Sequence, residues 1–256
     1  MAAVALLLCL AGAVLHAADL QPHTLRAFEQ YRDAATEAFL ARVPTGVRAF
    51  PAGAADTVVV GPAAEDGIIG IEDGLIHHWR ARGVVRGVRL QDVLAVSKDY
   101  DGYSRIYKPV TRSELLEHAG DTYTVLVRLR ESGGGVNAVL DVRSTVQYTT
   151  VSPTVVYALT HSDEIRQVVD AGAPDERRLA AGHDSGYLWR ASAFTRFVQV
   201  GNDVYVEMET LGLSRGFPPL LGWIIEPIAR RLGRRSVEES LREFAVAIHE
   251  QAKAAP

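Results

Sequence analysis

The feature that most constrains this chain is a run of strand-like segments between Thr122 and Leu213, set close enough in sequence to pair as hairpins. Val136–Val151 follows Thr122–Glu131 across Ser132-Gly133-Gly134-Gly135, Thr154–Val169 follows across Ser152-Pro153, and Asp203–Leu213 follows Ser185–Val200 across Gly201-Asn202. Glycine, proline, serine and asparagine supply the backbone angles of tight turns. Strands joined that tightly pair antiparallel, because parallel neighbours need a crossover of a dozen or more residues. Leu75–Val85 and Val110–His118 bring the expected sheet to seven strands. Between those two, Leu90, Val93 and Leu94 share one face of a short helix, and the stretch Tyr100, Tyr103, Ile106, Tyr107, Pro109 ends it. Proline and the residue before it resist helix continuation.

Side chains alternate faces along a strand. Arg190 and Arg196 therefore share one face of Ser185–Val200, opposite Trp189, Ala191, Ala193, Thr195 and Phe197; in Asp203–Leu213, Glu207 and Glu209 lie opposite Val206, Met208 and Thr210. Arginines beside glutamates read as a solvated, charge-paired exterior. The expected inner wall is then His77, Trp79, Val125, Val127, Leu129, Leu140, Val142, Ser144, Val146, Tyr148, Trp189, Ala193, Phe197, Met208 and Thr210. Large aromatics interleaved with small residues suit a wall that leaves room for a ligand.

The segments outside the sheet read as helices and a linker. Residues 1–18 are apolar up to Asp19 and carry the chain's single cysteine, Cys9. They read as a secretory signal peptide cut near Ala17 or Ala18, giving an exported (periplasmic or secreted) protein, or a tethered one if the segment is retained. Without Cys9 the protein has no disulfide and no thiolate chemistry. Within 19–72, Leu20–Arg42 reads as a helix with Leu25, Phe28, Tyr31, Ala35, Ala38 and Phe39 on one face, followed by a Pro/Gly/Ala-rich linker holding a short strand at Val58–Val60. At the other end, Leu220, Trp223, Ile224 and Ile225 open an apolar helix, and Ser236-Val237-Glu238-Glu239 has the spacing of a capping box. This predicts two helical pieces joined near Gly233.

Strand, two helices, six strands and a terminal helix is an order that resembles the START-like (SRPBCC) superfamily of polyketide cyclases, coenzyme-Q-binding proteins and lipid-transfer domains. Gly74-Leu75-Ile76-His77-His78-Trp79, Gly186-Tyr187-Leu188-Trp189-Arg190, Leu213-Ser214-Arg215 and Leu221-Gly222-Trp223-Ile224-Ile225-Glu226-Pro227 carry the likeness to an exported branch of that group, over residues 73–251. The resemblance implies an α+β helix-grip fold, a seven-stranded antiparallel sheet curved around a long C-terminal helix, with an N-terminal helix added. It also implies a hydrophobic cavity, with His77, Trp79, Val127, Ser144, Tyr148, Trp189, Ala193, Met208, Thr210, Trp223 and Ile224 as ligand-binding candidates.

Chemistry-bearing motifs are sparse. His77 and His78 are adjacent and point to opposite faces of a strand, so they cannot share a metal. His161-Ser162-Asp163 cannot fold into a nucleophile–base–orienter arrangement from consecutive positions. The triple glycine at 133–135 joins strands rather than opening a helix, so it cradles no phosphate, and no cofactor motif is present. A formal charge of −4 gives no general attraction to nucleic acid. The expected partner is a hydrophobic small molecule bound without catalysis: a lipid, an isoprenoid or a polycyclic compound. One alternative is a cyclase- or aromatase-type enzyme using His77 and Tyr148 as acid and base; another is an interaction module with a filled core. Ser162–Gly186 reads either as a gate over the cavity, closing against Phe217–Ile225, or as a solvated hairpin tip. Arg230, Arg231, Arg234 and Arg235, near Phe217 and Trp223, read as helix-end cations or as a transient contact with an anionic membrane.

Overall fold

The computed structural model describes residues 18–44, 58–64, 66–133, 136–216 and 222–254. In chain order the elements are β1 (Ala18–Asp19), α1 (Pro22–Arg42), β2 (Val59–Pro62), β3 (Ile68–Ile71), β4 (Gly74–Val85), α2 (Leu90–Lys98), a 3-10 turn (Tyr100–Gly102), α3 (Tyr103–Ile106), β5 (Val110–Ala119), β6 (Thr122–Gly133), β7 (Val136–Ser152), β8 (Val155–Val169), β9 (Arg177–Arg178), β10 (His183–Asp184), β11 (Arg190–Val200), β12 (Asp203–Arg215) and α4 (Gly222–Ala254). Ten strands form one antiparallel sheet in the order β2-β4-β12-β11-β8-β7-β6-β5, with β3 beside β4 and β9 beside β8. Its seven long strands are those expected from the sequence. The additional pairings at β2, β3 and β9 are two to four residues long, too short to show a period.

Two of the hairpin turns begin with a glycine at positive φ, Gly120 (60°) before Asp121 and Gly201 (59°) before Asn202. A two-residue turn with φ > 0 at its first position matches the twist of the flanking strands. Register shifts at Arg143/Ser144 and Thr150/Ser152, between β7 and β8, and two more between β5 and β6, are bulges. Bulges bend the strands they interrupt, which curves the sheet.

The concave face carries the main core. Trp79, Ala81, Val85, Val125, Val146, Tyr148, Ala158, Phe197, Val204 and Val206 meet Val93 and Val96 of α2 and Val237, Leu241, Phe244 and Ile248 of α4. The convex face carries a second core. Phe28, Ala35 and Phe39 of α1 cover Ile76, Phe194, Leu211 and Leu213. Ala38, expected on the apolar face of α1, is exposed, and Thr24 is buried instead, its Oγ1 donating to the Glu72 carbonyl at 2.9 Å.

Four sequence expectations change here. The C-terminal element is a single helix of 33 residues rather than two pieces. Ser236–Glu239 is helix interior, and its glutamates serve i,i+4 pairs, Arg235–Glu239 at 2.7 Å and Glu238–Arg242 at 2.9 Å. Gly233 does not break the helix. It lets the Trp79 ring approach, since a Cβ at 233 would lie 2.6 Å from Trp79 Nε1. Gly233→Val should therefore destabilise the protein by about 1–3 kcal/mol through overpacking. A urea midpoint that does not move would show that the indole shifts aside freely.

The linker is the second change. β2 and β3 pair with β4, so the sheet begins before residue 73. Third, Trp189 packs on the convex core. It sits in a bend just before β11, where strand alternation no longer applies, and its ring joins Phe28, Ile76 and Leu213 instead of the inner wall.

The fourth change concerns the charged face of β11 and β12, which is paired but not solvated. Arg196 is 5% exposed, Glu207 4% and Glu209 1%, beneath α1. Glu209 accepts hydrogen bonds from His78 Nε2 (2.8 Å), Arg80 Nε (2.8 Å) and an Arg42 guanidinium nitrogen (2.5 Å), while Tyr31 Oη lies 2.8 Å from His78 Nδ1. An ionised carboxylate only accepts, so Nε2 carries the proton it donates to Glu209. Burial alone would raise the Glu209 pKa. The hydrogen bonds from His78 and Arg80, with the charges of Arg80 and Arg42, bring it down to about 2.

Candidate functional site

The site follows from which residues the two layers of cover leave accessible. On β11, Ser192, Phe194 and Arg196 are buried beneath α1, whereas Ala191, Ala193 and Thr195, on the concave face, are half-buried. On β12, Glu207, Glu209, Leu211 and Leu213 are buried and Met208, Thr210 and Gly212 half-buried. Thr160 and Ser162 of β8 and Val127 and Leu129 of β6 continue the half-buried set. A sheet face beneath a helix is ordinarily its driest side. Here that face keeps contact with solvent in the half bordering Tyr187 and Leu188, and this half-buried stretch, termed the cleft, is the candidate site.

Register aligns the wall of this cleft. Trp79, Thr210, Ala193, Thr160 and Val146 lie side by side across β4, β12, β11, β8 and β7. Ser144 pairs with Ser162 and Val125 one row away. Small side chains across four adjacent strands are what leaves the space. The end wall comes from Tyr187 and Leu188, which pack with Leu129, Leu140, Val142, Ile165 and Ala191. Gly186, at φ 68°, makes the turn that sends them there, and the Leu188 side chain lies close over Gly212 beside His77.

Of the sequence candidates, His77, Trp79, Val127, Ser144, Ala193, Met208 and Thr210 lie on the concave face, and Trp189 does not. Trp223 and Ile224 fall within α4, but their side chains lie outside the described residues, as do Phe217 and the rest of the 217–221 connection. His77 Nε2 is 2.8 Å from Ser214 Oγ, and burial lowers its pKa from 6.5 to about 4, so the ring is neutral at pH 7. Tyr148 belongs to a different group. Its hydroxyl is 2.8 Å from Ser97 Oγ and donates to the Ser97 carbonyl at 3.0 Å, and Tyr100 donates to it at 3.2 Å. Burial raises the pKa of Tyr148 and Tyr100, so this tyrosine cluster under α2 stays protonated. Among the described residues no hydrogen bond joins His77 to Tyr148. His161, Ser162 and Asp163 likewise serve separate partners: Ser192, Ala191 and Thr145.

The neutral His77 gives a pH prediction. Its folded pKa lies below its unfolded one, so its contribution is whole above pH 6.5 and falls away as pH drops toward 4. Replacing it by Gln should remove about 2 kcal/mol of the stability lost between pH 6.5 and 4.5, scaled for partial exposure. Urea titrations of both proteins at several pH values check this. Parallel pH profiles would contradict it.

The 170–184 segment is not a gate. It is held to the convex face by Arg178 Nε to Asp141 Oδ2 (2.5 Å), by Arg128, which bonds both Asp141 and Glu176, and by the pairing of β10 with β1. Only the following Tyr187–Leu188 reaches the cleft. Outside the cleft, Arg230, Arg231 and Arg234 border a groove of about 360 Å³ with Val60, Gly61, Pro62 and Trp79. Arg230 pairs with Asp66 at 3.3 Å.

No protein-family model matches the sequence, and no curated protein sequence does. Solved structures do match. A STAR-related lipid transfer protein fragment from Xanthomonas axonopodis superposes with a TM-score of 0.50 at 15% identity, covering 72% of this chain and 99% of the other. Human STARD10 gives 0.46 at 11% identity, covering 76% and 79%. The Zhui aromatase/cyclase from Streptomyces sp. R1128 gives 0.42 at 15%, covering 71% and 96%. The chain has the START-like helix-grip fold, α+β, with a curved antiparallel sheet closed by a C-terminal helix.

Proposed function

We propose that this protein binds an apolar small molecule, a lipid, isoprenoid or polycyclic compound, without catalysis, in the cleft between β-sheet and α4. The observation that carries the reading is the half-buried concave face: Ala191, Ala193, Thr195, Met208, Thr210 and Gly212 are accessible while the opposite face of the same strands is sealed. The fold shared with a STAR-related lipid transfer protein supports it. An apolar ligand seated there gains roughly 25 cal/mol per Å² of apolar area taken from water. Such a wall needs shape more than polar contacts, and His77, Ser144 and Thr210 supply a few.

Export of the chain, with cleavage near Ala17 or Ala18, belongs to the same proposal. So does a transient contact of Phe217, Trp223 and the 230–235 arginines with an anionic membrane during ligand exchange. The reading is tested by purifying the mature protein from its natural host and analysing an organic extract by mass spectrometry. A stoichiometric apolar compound is the expected result. An empty extract, repeated after incubation with host lipids, would favour a filled-core interaction module.

A further inference from the structure

The cleft wall holds one acidic side chain that has not yet been given a role. Strand alternation puts Glu131 on the same face of β6 as Val125, Val127 and Leu129, and the register sets it beside Ala138, next to Leu140 on β7. It is half-buried. Among the described residues no cation is paired with it, and Arg235, the cation beside Glu239, is engaged by that glutamate at 2.7 Å. The charged group that acts on it is Glu239 of α4, and its own charge acts on Tyr187 in the end wall. The arginines flanking it on β6 alternate outward: Arg128 is engaged by Asp141 and Glu176 on the convex side, and Arg130 is exposed. Among the described residues no hydrogen bond or ion pair is formed by the Glu131 carboxylate. Two other carboxylates are treated differently: Glu209 beneath α1 and Asp141 beside β9 each have two or more cationic or imidazole donors.

We propose that Glu131 anchors the head of the ligand, accepting hydrogen bonds from an amine or hydroxyl at one end of an otherwise apolar molecule. The inference rests on the cleft being the ligand site and adds the chemical class of the ligand's polar end. A cationic or donor head satisfies the carboxylate and relieves its repulsion with Glu239. A carboxylate or phosphate head in the same place sets a second negative charge against the unpaired Glu131 carboxylate. Burial followed by the Glu239 charge already raises the Glu131 pKa, which is the response of a carboxyl group lacking its partner.

The test uses the full mature protein loaded with an uncharged environment-sensitive fluorophore, displaced at pH 7 by dodecylamine, dodecanol or dodecanoate. The expected order is amine tightest, with the amine at least tenfold tighter than the carboxylate. Glu131→Gln should bring the two within about threefold, each displacement being referred to that variant's own fluorophore affinity. Glu117→Gln, at an exposed carboxylate on β5, controls for net charge and should keep the preference. Equal displacement by amine and carboxylate in the unaltered protein, or a preference that survives Glu131→Gln, would overturn the role of Glu131 and leave the cleft intact. Failure of the fluorophore itself to bind would overturn both.

Discussion

Replacing Glu209 with Ala is expected to cost about 3–5 kcal/mol of stability. The side chain sits at the centre of the convex-face network and joins β4 to α1 through His78, Arg80 and Arg42. Removing it leaves the buried His78 imidazole and the Arg80 guanidinium without their anion, while Arg42 keeps Glu207 as a carboxylate at 3.7 Å, and a broken buried pair costs far more than the pair contributes. The pH dependence has a definite sign. The folded pKa of about 2 lies below the ordinary 4.5, so the stabilisation is whole above pH 4.5 and is lost as pH falls toward 2. That loss is of order 3 kcal/mol at about 1.4 kcal/mol per unit. Urea unfolding at pH 7 measures the first effect and a series down to pH 2.5 the second. A change below 1 kcal/mol for Glu209→Ala would mean that α1 is held by its apolar face alone.

The second large effect concerns binding rather than folding. Ala193 stands at the middle of the wall, between Thr160 and Thr210. An indole there projects into space the ligand is proposed to occupy. If it displaces roughly 110 Å² of apolar contact, affinity falls by about 2.7 kcal/mol, or about a hundredfold. Because Ala193 is half-buried rather than sealed, the melting temperature of Ala193→Trp should stay within a few degrees. Equilibrium binding of an apolar fluorophore to both proteins, with a thermal melt as control, measures the two halves of this result. Unchanged binding by a folded variant would place the ligand elsewhere, and collapse of the fold would show that the wall is already filled.

The seven long strands were legible because each runs for ten or more residues between recognisable turns or helices, and β4, β11 and β12 alternate along most of their length. The alternation also placed His77 and Trp79 opposite His78 and Arg80. What the sequence hid was the second layer. β11 and β12 carry Phe194, Leu211 and Leu213 on the face with Arg196, Glu207 and Glu209. The charges in that set masked the apolar residues, which need a cover of their own. Helix α1 is that cover, and its Phe28 and Phe39 were readable as a buried face without indicating which side of the sheet they would meet. Trp189 misled for a local reason. Parity holds only inside a strand, and β11 begins one residue later.

The candidate site was readable to the extent that small residues alternate along strands. Val127, Ala193, Met208 and Thr210 share the concave face for that reason. Tyr148 lies on the same face, but its hydroxyl is engaged by Ser97 and Tyr100, partners brought in by α2 and the 3-10 turn, which no strand pattern reveals. Glu131 was missed although parity alone puts it inward. The alternation reading ended at Leu129, where the Ser132–Gly135 turn approaches, and did not carry one further step.

Titrating a Trp189→Phe/Trp223→Phe variant of the purified protein, in which Trp79 is the remaining donor, with an uncharged apolar fluorophore excited by energy transfer tests the central claim most directly. The account predicts saturable uptake at one molecule per chain, with strong transfer, because Trp79 borders the cleft wall. Absence of saturable uptake, or uptake without transfer, would contradict a ligand site between the sheet and α4.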